Sequence, residues 1–345
     1  MRPTILAFLA LLLTGSPEPV PAPARSSSEG VVALMHQAAE QRKSGDYAAA
    51  AETYRRVLKR APSLYEAHLF LGDTLRHRRL NVEAEAEFRI AENLRPSEPP
   101  PYLSLADLQR EAFQFSQAPA TLEKALSAVP AEKREPILAS RGIILRQSGD
   151  PAAAVRVLSE AAKSYPESAK IRRSLAQSLM DLGRVEEAVQ AYSAALKLSP
   201  GSASLEEEMR SARELLESLQ KAQAVAKAPG ADFAAWESLA RLSYQARDYT
   251  LAAAAASEAL KRTGAKSSLL LLRAIALERS GNPEAAGPDL KKIPREAPEH
   301  LLSLYHRAYL ARLQGQGPAE EKIWAEATQM HREDSTSRLM RVLSW

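Results

Sequence analysis

The chain has no cysteine among its 345 residues. That absence excludes a disulfide framework, a thiolate nucleophile, cysteine-ligated zinc and an acylated lipoprotein anchor. Aromatic residues are scarce, at 6%. An excess of one charge sign is missing too: 46 Lys and Arg face 42 Asp and Glu, a surplus of four that is too slight to point to nucleic acid. Only six histidines are present. His300 and His306 lie six apart, off a common helical face, while His36, His68, His77 and His331 are scattered as surface or groove residues. No His-Glu-x-x-His motif occurs, no phosphate-cradling glycine loop follows a strand, and no segment reads as a strand. Glu206, Glu207 and Glu208 stand near a helix start, where they favour the helix dipole as a solvated terminus. Neither a nucleophile beside a base nor a metal-ligating cluster can be placed, so the expectation is a non-enzyme with no cofactor and no metal. What is plentiful is apolar surface: 45% of the residues are hydrophobic, ample for a packed core.

Met1 and Arg2 precede an apolar run over 5–13, followed by Thr14-Gly15-Ser16 and a proline-rich stretch over 17–23. This layout resembles a secretory signal peptide. The run, at about 1.5 Å per residue, reaches roughly half of a ~30 Å hydrocarbon core, which argues against a stable membrane span. Residues 1–24 are therefore expected to be a leader removed on export to the periplasm or beyond, cut at Ala22-Pro23-Ala24 or near Ser16, with an uncleaved tethered start as the alternative. Residues 25–30 read as a linker that continues an extended tether.

Beyond this stretch the sequence repeats. Pro62, Pro96 and Pro130 are each 34 residues apart, and so are Pro166 and Pro200. Small residues keep the same step: Ala38, Gly72, Ala106, Gly142, Ala176, Ala240, Ala274 and Ala308 share the eighth place of the period. Ala50, Ala84, Ala118, Ala154, Ala188, Ala252 and Ala286 share the twentieth. Four residues further on stand Tyr54, Phe88, Leu122, Leu158, Tyr192, Leu290 and Trp324. A small side chain lets two helix axes approach while a large neighbour fills the gap, so each period reads as two packed helices. Ser44-Gly45-Asp46, Ser148-Gly149-Asp150-Pro151 and Ser280-Gly281-Asn282-Pro283 supply the turn: glycine ends one helix and Asp or Asn caps the next.

This pattern resembles the tetratricopeptide repeat, in eight units starting near residues 31, 65, 99, 135, 169, 233, 267 and 301, with two extra residues before the fourth. The resemblance implies an all-α superhelix, or solenoid, of about eight helix-turn-helix repeats. A five-repeat block is expected over 31–202 and a three-repeat block over 233–334. Between them, within 203–232, Leu205, Met209, Ala212, Leu215, Leu216, Leu219, Ala222 and Val225 recur at three and four, the mark of one long amphipathic helix. That helix either caps the first block and links it to the second, or offers its apolar stripe to another protein. Residues 335–345 are expected to form a C-terminal capping helix.

The resemblance also implies that the first helix of each unit lines a concave groove. In that register Arg42, Arg76, Arg110 and Arg146 take the twelfth place of units one to four, joined by Lys170 and Arg173 in unit five. Such a ladder suits an extended acidic peptide; the alternative is a set of solvated cations near helix C-termini, diluted by Asp73, Asp107 and Glu111. The places that read chaperone tails in the family hold Met35, Ala39, Phe70, Pro100 and Ser104, which do not match. In the C-terminal block, Leu271, Ile275, Leu302, Tyr305, Tyr309 and Leu313 form an apolar groove face, either an anchor pocket or a surface covered by the chain's own last helix. The expectation is an exported, non-catalytic scaffold binding a protein or peptide, with a small-molecule or glycan carrier as the alternative.

Overall fold

The computed structural model describes residues 25–114 and 116–333, and side chains over 30–114 and 116–330. Among them are helices α1 (Arg25–Lys43), α2 (Tyr47–Arg60), α3 (Tyr65–His77), α4 (Asn81–Leu94), α5 (Pro99–Glu111), α6 (Gln117–Ala128), α7 (Glu135–Gln147), α8 (Pro151–Ser164), α9 (Ala169–Asp181), α10 (Val185–Leu198), α11 (Ala203–Lys227), α12 (Phe233–Gln245), α13 (Tyr249–Thr263), α14 (Ser267–Arg279), α15 (Gly287–Lys291), α16 (His300–Leu313) and α17 (Gly317–Glu333). No strand occurs among the described residues. The chain is all-α, built from antiparallel helical hairpins at the expected period. The leader over 1–24 and the capping helix over 335–345 lie outside the described residues.

The hairpins close as their composition dictates. Ala38, Ala50, Ala84, Ala91, Ala106 and Ala118 are wholly buried, and beside them Tyr54, Phe88 and Leu122 fill the space between helices. Where glycine takes the eighth place, the fit is tightest: a β-carbon on Gly72 would lie 2.6 Å from the Phe88 ring, and one on Gly142 2.4 Å from Leu158. The carboxylates of Asp46, Asp150 and Asp248 accept the amides of Ala49, Ala153 and Leu251, capping α2, α8 and α13. The fifteenth place of every repeat is left-handed, and three of the eight positions are not glycine: Arg79 (φ 63), Phe113 (φ 58) and Arg247 (φ 62). The two extra residues before the fourth repeat are absorbed in a 3-10 turn, Ala131–Lys133.

The described residues fall into two compact units that divide between Ile137 and Leu138, inside α7 and not at the long helix. In the second unit α11 is a single helix of 25 residues. Its first half packs Leu205 and Ala212 on α9 and α10, while Ala222 and Ala226 join Leu239, Ala240 and Ala252 of α12 and α13. Between them Leu219 meets Val185 and Ala246. The apolar stripe is therefore covered within the chain. Val225, expected in it, stands exposed, and Ala226 takes its place.

Two further expectations need correction. Residues 25–30 are the opening turns of α1, not a linker: the last leader proline is Pro23, and every later residue up to Gly30 has an amide hydrogen to give. The seventh hairpin also lacks a full second helix. A 3-10 turn, Pro283–Ala286, leads into α15, which has only 5 residues, with Pro288 in its first turn and Pro294 just beyond its end. Asp289 in this short helix is buried and receives two hydrogen bonds of 2.6 Å from Arg273, which also reaches Ser257 Oγ at 3.1 Å. A charged pair thus ties α15 to α14, where a longer helix would have used apolar packing.

Candidate functional site

The ladder arginines fall on first helices as expected, but they do not stand free. Arg42 Nη1 donates to Asp73 at 3.0 Å and lies 4.9 Å from the Phe70 ring centroid. Arg76 bridges Asp73 and Glu111, both at 3.0 Å, and Arg110 bonds Asp107 at 3.3 Å. Burial alone would lower the Arg76 pKa; the hydrogen bond and charge of Asp73, with Glu111 and Asp107, outweigh it and raise the pKa. Arg42, Arg76 and Arg110 thus form one alternating network with carboxylates in the first unit.

The second unit repeats the scheme. Arg146 and Arg247 share Asp181, at 3.0 and 3.2 Å. Arg173 pairs with Glu208 and donates to Ser204 Oγ at 2.7 Å, while Gln177 reaches Glu208 at 3.1 Å. Burial would raise the Glu208 pKa, but hydrogen bonds from Arg173, Gln177 and Tyr192 and the Arg173 charge hold it below the usual carboxylate value. Lys170 alone of the expected cations is exposed with no ion pair among the described residues. The ladder arginines are therefore paired with carboxylates, most of them on a neighbouring repeat. A signal for this pairing exists in the sequence, since Glu111, Asp181 and Glu208 each follow their arginine by 35 residues, close to one repeat.

The apolar C-terminal face is only partly as expected. Leu271, Ile275 and Leu302 do come together, along one wall of a cleft of about 580 Å³ between α12, α14 and the start of α16. Tyr244 and Tyr249, whose rings meet edge to face at 5.6 Å, line the same cleft. Burial foremost, then Tyr249 and Glu278, raises the Tyr244 pKa against the pull of Arg279, so its hydroxyl remains a donor. Arg241, Arg247, Arg279 and Glu299 border the cleft. Arg241 is engaged by Glu237 and Arg247 by Asp181, whereas Arg279 has no ion pair among the described residues. The sequence did not single out the tyrosines or the arginines, because they come from α12, the turn after it, the start of α13 and the end of α14, which only tertiary packing brings to one cleft.

Tyr305 and Tyr309 do not line this cleft. Tyr305 packs on Trp324 of α17 at 5.4 Å between ring centroids, and Tyr309 is half exposed further along α16. They belong to the last hairpin, and its own second helix covers Tyr305. His68 is likewise no surface residue: it is buried, with Nδ1 2.6 Å from Glu87 and Nε2 2.8 Å from the Pro62 carbonyl oxygen. Among the described residues no three His, Asp or Glu side chains are placed to hold a metal ion, and no helix is long and apolar enough to cross a membrane.

A family model described as tetratricopeptide repeat matches residues 37–99 and 140–203. No curated protein sequence matches the chain. Among solved structures, the chain is similar to the MamA protein, at 20% identity over 51% of this chain and 96% of that one, with a TM-score of 0.40. It is also similar to a thermophilic TPR protein in Thermus thermophilus, at 23% identity over 53% and 98%, with a TM-score of 0.43. A tetratricopeptide repeat protein from Parabacteroides merdae aligns at 16% identity over 77% and 92%, with a TM-score of 0.43.

Proposed function

We propose that this tetratricopeptide repeat protein is a non-catalytic scaffold that holds a peptide segment of a partner protein in the cleft of α12, α14 and α16. The observation that carries the reading is the composition of that cleft. Apolar walls from Tyr244, Tyr249, Ile275 and Leu302 would receive an aliphatic or aromatic side chain, and Arg279 and Glu299 at the border would meet polar groups of the same segment. The arginine ladder favours an acidic peptide far less, because Asp73, Glu111, Asp181 and Glu208 already neutralise it. The ladder acts instead as a link between repeats.

Peptide-display selection on the full chain tests this. Selected peptides should carry an apolar anchor, and their affinity should fall at least tenfold in Ile275→Glu and in Arg279→Glu while surviving Arg76→Ala. Binding that survives the first two substitutions and is lost with the third would move the site to the first unit.

The leader sequence supports export, and with it a role in assembling an envelope or secretion complex. Cell fractionation, with N-terminal sequencing of the recovered protein, tests this part: a cytoplasmic protein that retains Met1 would end it.

A further inference from the structure

A second cleft, of about 450 Å³, lies between α15, α16 and α17 and shares no lining residue with the first. It opens where the seventh hairpin is incomplete. Second helices elsewhere run from 12 to 17 residues, but α15 has 5 and stops at Lys291, which forms part of the cleft wall. The floor is apolar, from Leu310, Ala311 and Ile323.

Three cations border it: Lys291, Arg307 and Lys322. Among the described residues none of them has an ion pair or a side-chain hydrogen bond, unlike the arginines of the ladder. Two carboxylates, Glu284 and Glu326, and the amides of Gln314 and Gln316 also border it, and Glu326 lies 3.7 Å from Nε2 of His300. The first turn of α17 reaches the cleft at Ala319 and adds the partial positive charge of a helix start. The cleft thus combines a positive surplus, two acceptor groups and an apolar floor, in a volume within the roughly 300–1,000 Å³ range of small-molecule sites.

We infer that this cleft binds a small hydroxylated organic anion, of the hydroxy-acid or sugar-acid class. Carboxylates of the ligand pair with Lys291, Arg307 and Lys322, its hydroxyls donate to Glu284 and Glu326, and its carbon skeleton lies on Leu310 and Ile323. The site shares no lining residue with the peptide cleft.

Calorimetric titration of the full chain at low ionic strength with citrate, glucuronate and inorganic phosphate tests the inference. The expected result is saturable binding of citrate or glucuronate, tighter than that of phosphate. Affinity should fall at least tenfold in the Lys291→Gln, Lys322→Gln double variant, whose exposed substitutions leave the melting temperature of the unliganded protein in place, and should be unchanged in Lys170→Gln. Absence of saturable binding by either organic anion, retention of affinity in the double variant, or phosphate binding as tight as citrate would each overturn it.

Discussion

Gly183 and Arg247 touch through their backbones: a β-carbon on Gly183 would lie 2.7 Å from the carbonyl carbon of Arg247. Their repeats are separated in sequence by all of α11, yet their turns meet, and Asp181 holds Arg247 at 3.2 Å. The long helix therefore leaves the row of turns uninterrupted at this point while its apolar stripe serves both neighbouring hairpins.

This contact sets the cost of a methyl group. Gly183 has φ 72 and faces backbone that cannot rotate away, whereas Gly149 has φ 89 and nothing within 4 Å. Gly149→Ala is expected to cost about 1 kcal/mol from left-handed strain alone, and Gly183→Ala about 1–3 kcal/mol more from overpacking. Urea midpoints of the two variants check the order; equal midpoints would remove the contact from the account.

The same turn position predicts a gain. Arg79 is exposed at φ 63, where five of the eight repeats have glycine. Arg79→Gly should stabilise the first unit by about 1 kcal/mol, since glycine carries no side-chain penalty in that conformation. Arg79→Val should destabilise it, and thermal melts of both variants provide the comparison.

The buried pair of Arg273 and Asp289 is expected to be costly to break. Its side chains are 22% and 3% exposed. Asp289→Ala leaves a partly buried guanidinium without its partner and should cost about 3–5 kcal/mol, whereas the double variant Arg273→Met, Asp289→Leu should recover much of that loss. Hydrogen exchange in α14 distinguishes the two outcomes, and equal protection in both variants would contradict the assignment.

The lowered pKa of Glu208 makes one contribution to stability pH-dependent. A carboxylate whose folded value lies below its unfolded value of about 4.3 stabilises fully above that unfolded value and ceases to as pH falls through the folded value. The wild-type chain should therefore exceed Glu208→Gln in urea midpoint at pH 7, and the gap should close on acidification below about 4.3. A gap that is independent of pH would assign the effect to shape instead of charge.

Much of the fold is legible in the residues. Ala38, Gly72 and their counterparts mark close helix contacts because only small side chains permit them, and Gly45, Gly149 and Gly281 mark turns because the chain must enter the left-handed region there. Arg79, Phe113 and Arg247 hide the same turns, since neighbouring contacts hold them in a conformation that their own preferences oppose. Site residues are less legible. Leu271, Ile275 and Leu302 follow from register, but Tyr244 and Tyr249 join them only because α12 and α13 pack beside α14.

The sequence by itself determined the local and periodic features: the helices, their small and large contact residues, the repeat length and the long helix between the fifth and sixth hairpins. These follow from interactions within one period, where spacing is enough. Tertiary structure alone decided which carboxylates one repeat away meet an arginine, which apolar faces are covered and where clefts remain. Arg76 meets Glu111 and Arg146 meets Asp181 across neighbouring repeats, and the gap beside Lys291 appears only where a shortened helix fails to fill its place. Pairing and packing depend on distances in space, which a list of residues does not contain.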